Sequence, residues 1–156
     1  MSQPTLLSAL QKPYIIGFKH SRPQAAFTEG PTADDSEKDY EHPDYSRMNQ
    51  RYSLKYDYFS LGLVLLEIGL WRTLNKDGAL AGLSPAEARE HLTAVKVPRL
   101  GQSMGVTYRD VVYTCLGHDF DQYDSIEDEN NRKAAAQLMF ETEVLFKLST
   151  LSQYGI

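Results

Sequence analysis

Chemistry in this chain would have to come from four histidines, His20, His42, His91 and His118, from Cys115, and from clustered carboxylates. No two of the histidines stand three to five residues apart, so the paired spacing that builds zinc sites on a helix or knuckle is missing. The run Asp119 to Glu129 (DFDQYDSIEDE) invites a calcium-loop reading. That loop needs glycine at its sixth position, where Asp124 stands, and glutamate at its twelfth, where Asn130 stands, so a solvated acidic loop is expected instead. Cys115 falls on the apolar face of a predicted helix. A reactive thiolate needs an accessible, electropositive setting, so packing is its expected role. Neither G-x-x-x-x-G-K-[ST] nor G-x-G-x-x-G occurs, and Gly62 and Gly69 sit inside an apolar helix where close packing accounts for them.

The elements that would position such groups are bounded by length and balance. At 156 residues, 42% hydrophobic and 24% charged, the chain suits one globular domain. Sixteen Lys+Arg against twenty-one Asp+Glu leave a net charge of −5, which argues against a phosphate-backbone binder. One cysteine allows no intramolecular disulfide, and the start MSQPTLLSAL lacks the basic leader and long apolar core of a signal peptide. An intracellular, cytoplasmic location is expected.

Along the chain, Pro13 to Phe18 (PYIIGF) suits one strand. Ser21 to Ser53 carries three prolines, a glycine and seven acids with no sustained period, and loops beyond ~12–15 residues tend to have functions of their own. Tyr58 to Trp71 (YFSLGLVLLEIGLW) predicts a central buried helix. Leu61, Val64, Leu65, Ile68 and Trp71 form its stripe, and Asp57 stands just ahead of it to meet the orphan amides. At about fourteen residues that run falls short of the ~18 needed for a membrane span. A capping box, Ser84-Pro85-Ala86-Glu87, opens a second helix through Val95. Tyr108 to Leu116 predicts a third, with Val111, Val112, Cys115 and Leu116 on its apolar face and Gly117 as its stop. Asn131 to Leu151 predicts a fourth, on which Ala135, Leu138, Met139, Thr142, Leu145 and Phe146 share helical spacing.

The order of these pieces, PYIIGFKHSR, a long acidic loop, YEHPDY, then KYDYFSLGLVLLEIGLW and further helices, resembles the second half of a eukaryotic protein kinase fold. It is most similar to the kinase-like domains of fungal proteins, some of which carry a HeLo-type prion-inhibition region. Asp57 to Glu67 follows the family's D-x-[YF]-S-x-G-x-x-L-x-E central helix, and CLGHDF (Cys115 to Phe120) is like a stretch near the C-terminal end of the fungal domains. The fold this implies is mainly α: a kinase large-lobe-like helical domain with a short N-terminal strand and a long activation-segment-like loop. Residues 1–12 would be a stub, 13–151 the partial domain and 152–156 a tail.

By the same resemblance, Gly17, Phe18 and Lys19 stand at the D-F-G metal loop, where Gly17 cannot ligate magnesium. His42, Pro43 and Asp44 stand for the A-P-E that closes the activation segment. Asp44 keeps the carboxylate that in the family pairs with an arginine of the last helices, and Arg132 is the nearest candidate. Asp57 and Glu67 are the structural acids of the central helix. Phosphoryl transfer needs a glycine-rich lid, a phosphate lysine, a base aspartate with its asparagine, and a metal aspartate. The family places the first three ahead of residue 13, and His118-Asp119, which follows the central helix, is no substitute for H-R-D. No catalytic residue, and no ATP or magnesium site, is therefore expected; these belong to complete family members.

Three functions follow as expectations. The first is a catalytically inactive, partial kinase-like domain that binds proteins in signalling. Ser36, Tyr40, Tyr45 and Tyr52 make its acidic loop a candidate docking or phosphorylation segment, and self-association is expected through the face left by a missing lobe. The second is the C-terminal part of an ATP-dependent kinase that needs an N-terminal region. The third is an unrelated acidic helical scaffold.

Overall fold

The computed structural model describes residues 42–45, 53–74 and 77–153. Among the described residues the chain is mainly helical and contains no strand. The strand expected over Pro13 to Phe18, the stub, and most of the Ser21 to Ser53 loop lie outside them. Four helical rods make up the body. They are α1 (Leu54–Leu70); α2 (Pro85–His91), joined through a π turn (Leu92–Lys96) to α3 (Val97–Ser103); α4 (Val106–Leu116); and α5 (Glu129–Phe140), joined through a second π turn (Glu141–Leu145) to α6 (Phe146–Gln153). Single 3₁₀ segments at Gly78–Leu80 and Asp121–Ser125 fill two of the connections. Among the described residues no helix is long and apolar enough to cross a membrane.

α1 starts earlier than its apolar pattern suggests. Ser53 holds the N-cap position, so Asp57 lies within the first turn rather than ahead of it and still faces the positive end of the helix dipole. The buried face also differs from the expected stripe. Phe59, Gly62, Leu63, Leu66 and Gly69 turn inward, whereas Val64, Ile68 and Trp71 remain 43%, 50% and 90% exposed. The reason is steric. On a helix apolar nearly all round, the glycines decide which side a neighbour can approach. A Cβ on Gly62 would lie 2.7 Å from Cys115 Cβ, and one on Gly69 would lie 2.6 Å from Leu100 Cδ2. α4 and α3 therefore pack on the glycine side. There Phe59, Leu63 and Leu66 join Val97, Leu100, Val112 and Leu116 in the main core, and the Tyr108 hydroxyl donates to the Leu65 carbonyl at 2.7 Å. α1 ends on Trp71, whose left-handed backbone (φ 51°) returns its N–H to the carbonyls of Glu67 and Ile68.

The second rod opens as its capping box dictates. Ser84 Oγ accepts from the Glu87 N–H at 3.3 Å, and Glu87 Oε2 accepts from the Ser84 N–H at 2.8 Å. Helix then runs past Val95, beyond the expected stop, because a π turn absorbs Pro98. Proline lacks an N–H and crowds the carbonyl four residues back, which here is Ala94 inside the widened turn, closed by a bond from Val97 N–H to the Leu92 carbonyl. α4 matches its expected face: Val111, Val112, Cys115 and Leu116 are all buried.

The last rod buries a different face from the one its sequence spacing marks. Leu138, Leu145 and Phe146 are 62%, 48% and 69% exposed, while Ala136 and Val144 are buried and Phe140 and Leu148 pack beside them. Those four positions recur every four residues rather than every 3.6. The π turn between α5 and α6 takes up the extra residue and keeps them on one side. Tyr58 of α1 meets this rod face to face with Phe140 at 4.0 Å, and Phe120 closes the group at 4.8 Å.

Candidate functional site

The turn His42 to Tyr45 is held against the body by the densest set of polar contacts among the described residues. His42 is buried, its ring 5.0 Å from Phe59 and 5.2 Å from Tyr56, and its Nδ1 accepts from the Asp44 N–H at 3.0 Å. The Tyr45 ring meets Tyr56 edge-on at 5.4 Å. Two buried cations then lock the turn. Lys55, in the first turn of α1, places Nζ 3.1 Å from Asp44 Oδ2, 3.4 Å from Asp121 Oδ1 and 2.6 Å from Asp124 Oδ2. Arg89, on α2, donates from Nε to the Leu116 carbonyl at 2.7 Å, from Nη2 to the Gly117 carbonyl, and from Nη1 to Asp121 Oδ2 at 3.2 Å. The same Nη1 lies 3.4 Å from His42 Nε2, and the guanidinium sits over the Phe59 ring.

Each element serves this node for a local reason. The carbonyls of Leu116 and Gly117 are left over where α4 ends, and a guanidinium fork satisfies two at once. The Asp121–Ser125 3₁₀ turn sets Asp121 and Asp124 three residues apart, which brings both carboxylates to one side, toward Lys55. At the rim, His118 bridges Asp121 Oδ2 at 2.7 Å and Glu90 Oε1 at 2.8 Å.

Charges in the node fix each other's protonation. Burial alone would lower the Lys55 ammonium, but its bonds to Asp124 and Asp44 outweigh that and hold it above the usual lysine range. Burial would likewise raise Asp121, yet the His118 bond and the Arg89 and Lys55 charges keep it below the usual carboxylate range. Burial, reinforced by Arg89 and Lys55, pushes His42 down to about 4, so it is a neutral imidazole. Contact with Glu90, then Asp121, raises His118.

His42, Asp44 and Asp121 bring one donor atom each within 4.8 Å of one another, a grouping that histidine spacing alone does not reveal. Lys55 and Arg89 already supply the positive charge there, on the same two carboxylates a cation would use. Chemically the node is a clamp: its groups are engaged with one another.

The sequence-derived site residues divide clearly. His42, Pro43, Asp44 and Tyr45 come together at the clamp. Asp44 is met by Lys55 rather than Arg132, which lies in the first turn of α5. Asp57 is exposed, and Glu67 accepts the Leu74 N–H at 2.6 Å, tying down the chain that leaves α1. Gly17, Phe18, Lys19, Ser36, Tyr40 and Tyr52 lie outside the described residues. The acidic stretch is not simply solvated, since Asp121 and Asp124 are ion-paired. Cys115 and His118, three residues apart in sequence, occupy opposite settings. The thiol is buried and pushed up to about 12, while His118 is exposed. Sequence reasoning missed Lys55 and Arg89. The available signal was a pair of cations beside apolar positions in a chain with excess acid. The chain matches no family model, and no curated protein or solved structure matches it.

Proposed function

We propose that this chain is a catalytically inactive, partial protein kinase-like domain of large-lobe type that works by binding other proteins inside the cell. The observation that carries the binding reading is the exposed stripe on α1. Val64, Ile68 and Trp71 recur at i, i+4 and i+7, are 43%, 50% and 90% exposed, and lie along α1 and its C-cap. The kinase-like part rests on the motif order alone; the carboxylate at the A-P-E position, Asp44, is paired with Lys55 of the central helix and not with an arginine of the last helices as the resemblance implies. The acidic balance favours protein over nucleic acid as partner.

Thermal unfolding of residues 1–156 with and without Mg²⁺-ATP tests the inactive half of this reading. A nucleotide at a hundred times its Kd would add about 2.7 kcal/mol of stability, which is several degrees for a domain of this size. The expected result is an unchanged midpoint. An upward shift absent with Mg²⁺ alone would overturn it.

The same stripe favours a second reading, in which an N-terminal kinase region covers α1 and supplies ATP binding. Asp57 stands exposed at one end of the stripe, where the resemblance puts the aspartate that holds a catalytic loop. Co-expression with a complete kinase-like N-terminal half, followed by assay for a stable complex with a nucleotide-dependent melt, separates the two.

A further inference from the structure

We infer that the turn His42 to Tyr45 is an acid-released latch: a proton on the His42 ring detaches the turn from the body while the helices stay packed.

The turn is a preformed unit. The Tyr45 N–H donates to the His42 carbonyl at 2.8 Å, and Pro43 sets the backbone at the first central position of the turn it closes. Side chains fasten this unit to the body: Asp44 on Lys55, the His42 ring beside Tyr56 and Phe59, and the Tyr45 ring against Tyr56. His42 is the piece that a proton upsets. Its Nδ1 accepts from the Asp44 N–H at 3.0 Å, and its Nε2 lies 3.4 Å from Arg89 Nη1, on a group that can only donate. A neutral imidazole has one lone pair to offer, and the Asp44 N–H takes it. An imidazolium has none, so it would set N–H against N–H on both sides, at a residue only 3% exposed.

The charges around the ring sharpen the conflict. Burial comes first in holding His42 down to about 4, and Arg89 of α2 and Lys55 of α1 add to it. Asp44 of the turn, with Oδ2 3.9 Å from Nδ1, and Asp121 of the 3₁₀ turn pull the other way, but each already faces one or both of those cations. Once the turn is off, the ring meets water and titrates near 6.5. Between the two values, opening therefore becomes about tenfold more populated for each pH unit of acidification. The helices need not follow. The Arg89 bonds to the Leu116 and Gly117 carbonyls, and the Lys55 bonds to Asp121 and Asp124, do not pass through the turn.

Amide exchange of the full chain, followed by NMR from pH 6 to 4.5 and referred to intrinsic exchange rates, tests this. Protection at the Asp44 N–H should be lower than at Val112 throughout and should fall by about tenfold per pH unit. His42→Asn, whose side chain does not titrate, should remove that slope, with circular dichroism showing that the variant folds. His118→Asn, a change at the rim on Asp121, should leave the slope in place. The parent gives a second reading that needs no variant: the His42 ring protons should take the shift of a free imidazolium at the same pH at which Asp44 loses protection. Equal protection at Asp44 and Val112 would mean that the turn leaves only with the whole fold. That result, a slope that survives in His42→Asn, or a His42 ring that charges while Asp44 stays protected would each overturn the inference.

Discussion

Arg89 Nε donates to the Leu116 carbonyl at 2.7 Å, so a side chain of α2 closes the C-terminal end of α4 from 27 residues away. The same guanidinium reaches the Gly117 carbonyl and Asp121, making one buried residue the tie between α2, α4 and the acidic turn. His42 packs beside that tie, its Nε2 3.4 Å from Arg89 Nη1, and Lys55 carries the fastening on to Asp44 of the long acidic segment.

Replacing Arg89 by alanine should therefore be among the most damaging single changes. It strands two carbonyls and leaves Asp121 short of a partner in a site where Arg89 is only 6% exposed. Removing one member of such a buried set costs about 3–5 kcal/mol. Arg89→Lys should recover only part of this, because an ammonium cannot fork to both carbonyls. Urea unfolding measures both, and a loss under about 1 kcal/mol for the alanine variant would refute the assignment.

The α1–α4 crossing predicts an asymmetry between two glycines. A methyl at Gly62 meets Cys115 Cβ at 2.7 Å, an atom fixed to the α4 backbone. A methyl at Gly69 meets Leu100 Cδ2 at 2.6 Å, the movable end of a side chain, and then Tyr108 Cε1 at 3.0 Å, where a few tenths of an ångström of give suffice. Alanine gains about 1 kcal/mol of helix propensity at either site. Overpacking of about 1–3 kcal/mol should outweigh that at Gly62 and roughly cancel it at Gly69. Thermal melts should thus show Gly62→Ala clearly destabilised and Gly69→Ala near the parent.

The helices were legible where a pattern has one local cause, and less so where tertiary contact chooses among equals. The Ser84–Glu87 box and the Val111–Leu116 face are written in spacing and are found as written. α1 carries apolar residues on every side, so periodicity could not tell Leu63 and Leu66, which are buried, from Val64 and Ile68, which are not. Its glycines held that information. The π turns escaped because they break the 3.6-residue register that the pattern assumes. In the clamp, His42 and Asp44 could be singled out in the sequence, but Lys55 and Arg89 could not, since residues 34 apart in sequence converge on Asp121 only through the fold.

Two histidines should give opposite pH signatures. His42 is held neutral, down to about 4, so between that value and 6.5 the unfolded chain binds more protons and stability falls as the solution is acidified. That gap corresponds to roughly 3 kcal/mol lost by pH 4. His118 is raised by Glu90 and Asp121. Its contribution is fully present below 6.5 and disappears as pH climbs through its higher folded value. Urea melts from pH 4 to 8 should show His42→Phe flattening the acid limb and His118→Asn flattening the neutral limb. The reverse assignment would mean that the clamp titrates differently from its geometry.

Among the described residues Lys55 is the one cation shared by three carboxylates, and its removal should release the turn as well as weaken the fold. Without Nζ, Asp44, Asp121 and Asp124 face one another with less counter-charge, and Asp121 keeps only Arg89 and His118. Lys55→Met preserves the buried stem and deletes the charge, so a change isolates the ion pairs from packing. It should cost about 3 kcal/mol, at the low end for breaking a buried set because Asp124 is half exposed. It should also speed amide exchange at Asp44, whose N–H is bonded to His42 Nδ1 within the pinned turn, more than at Val112 in the core. Adding Asp124→Asn and Asp44→Asn should restore part of the stability by relieving the repulsion. Equal acceleration at Asp44 and Val112 would show instead that Lys55 supports the whole body and not the clamp.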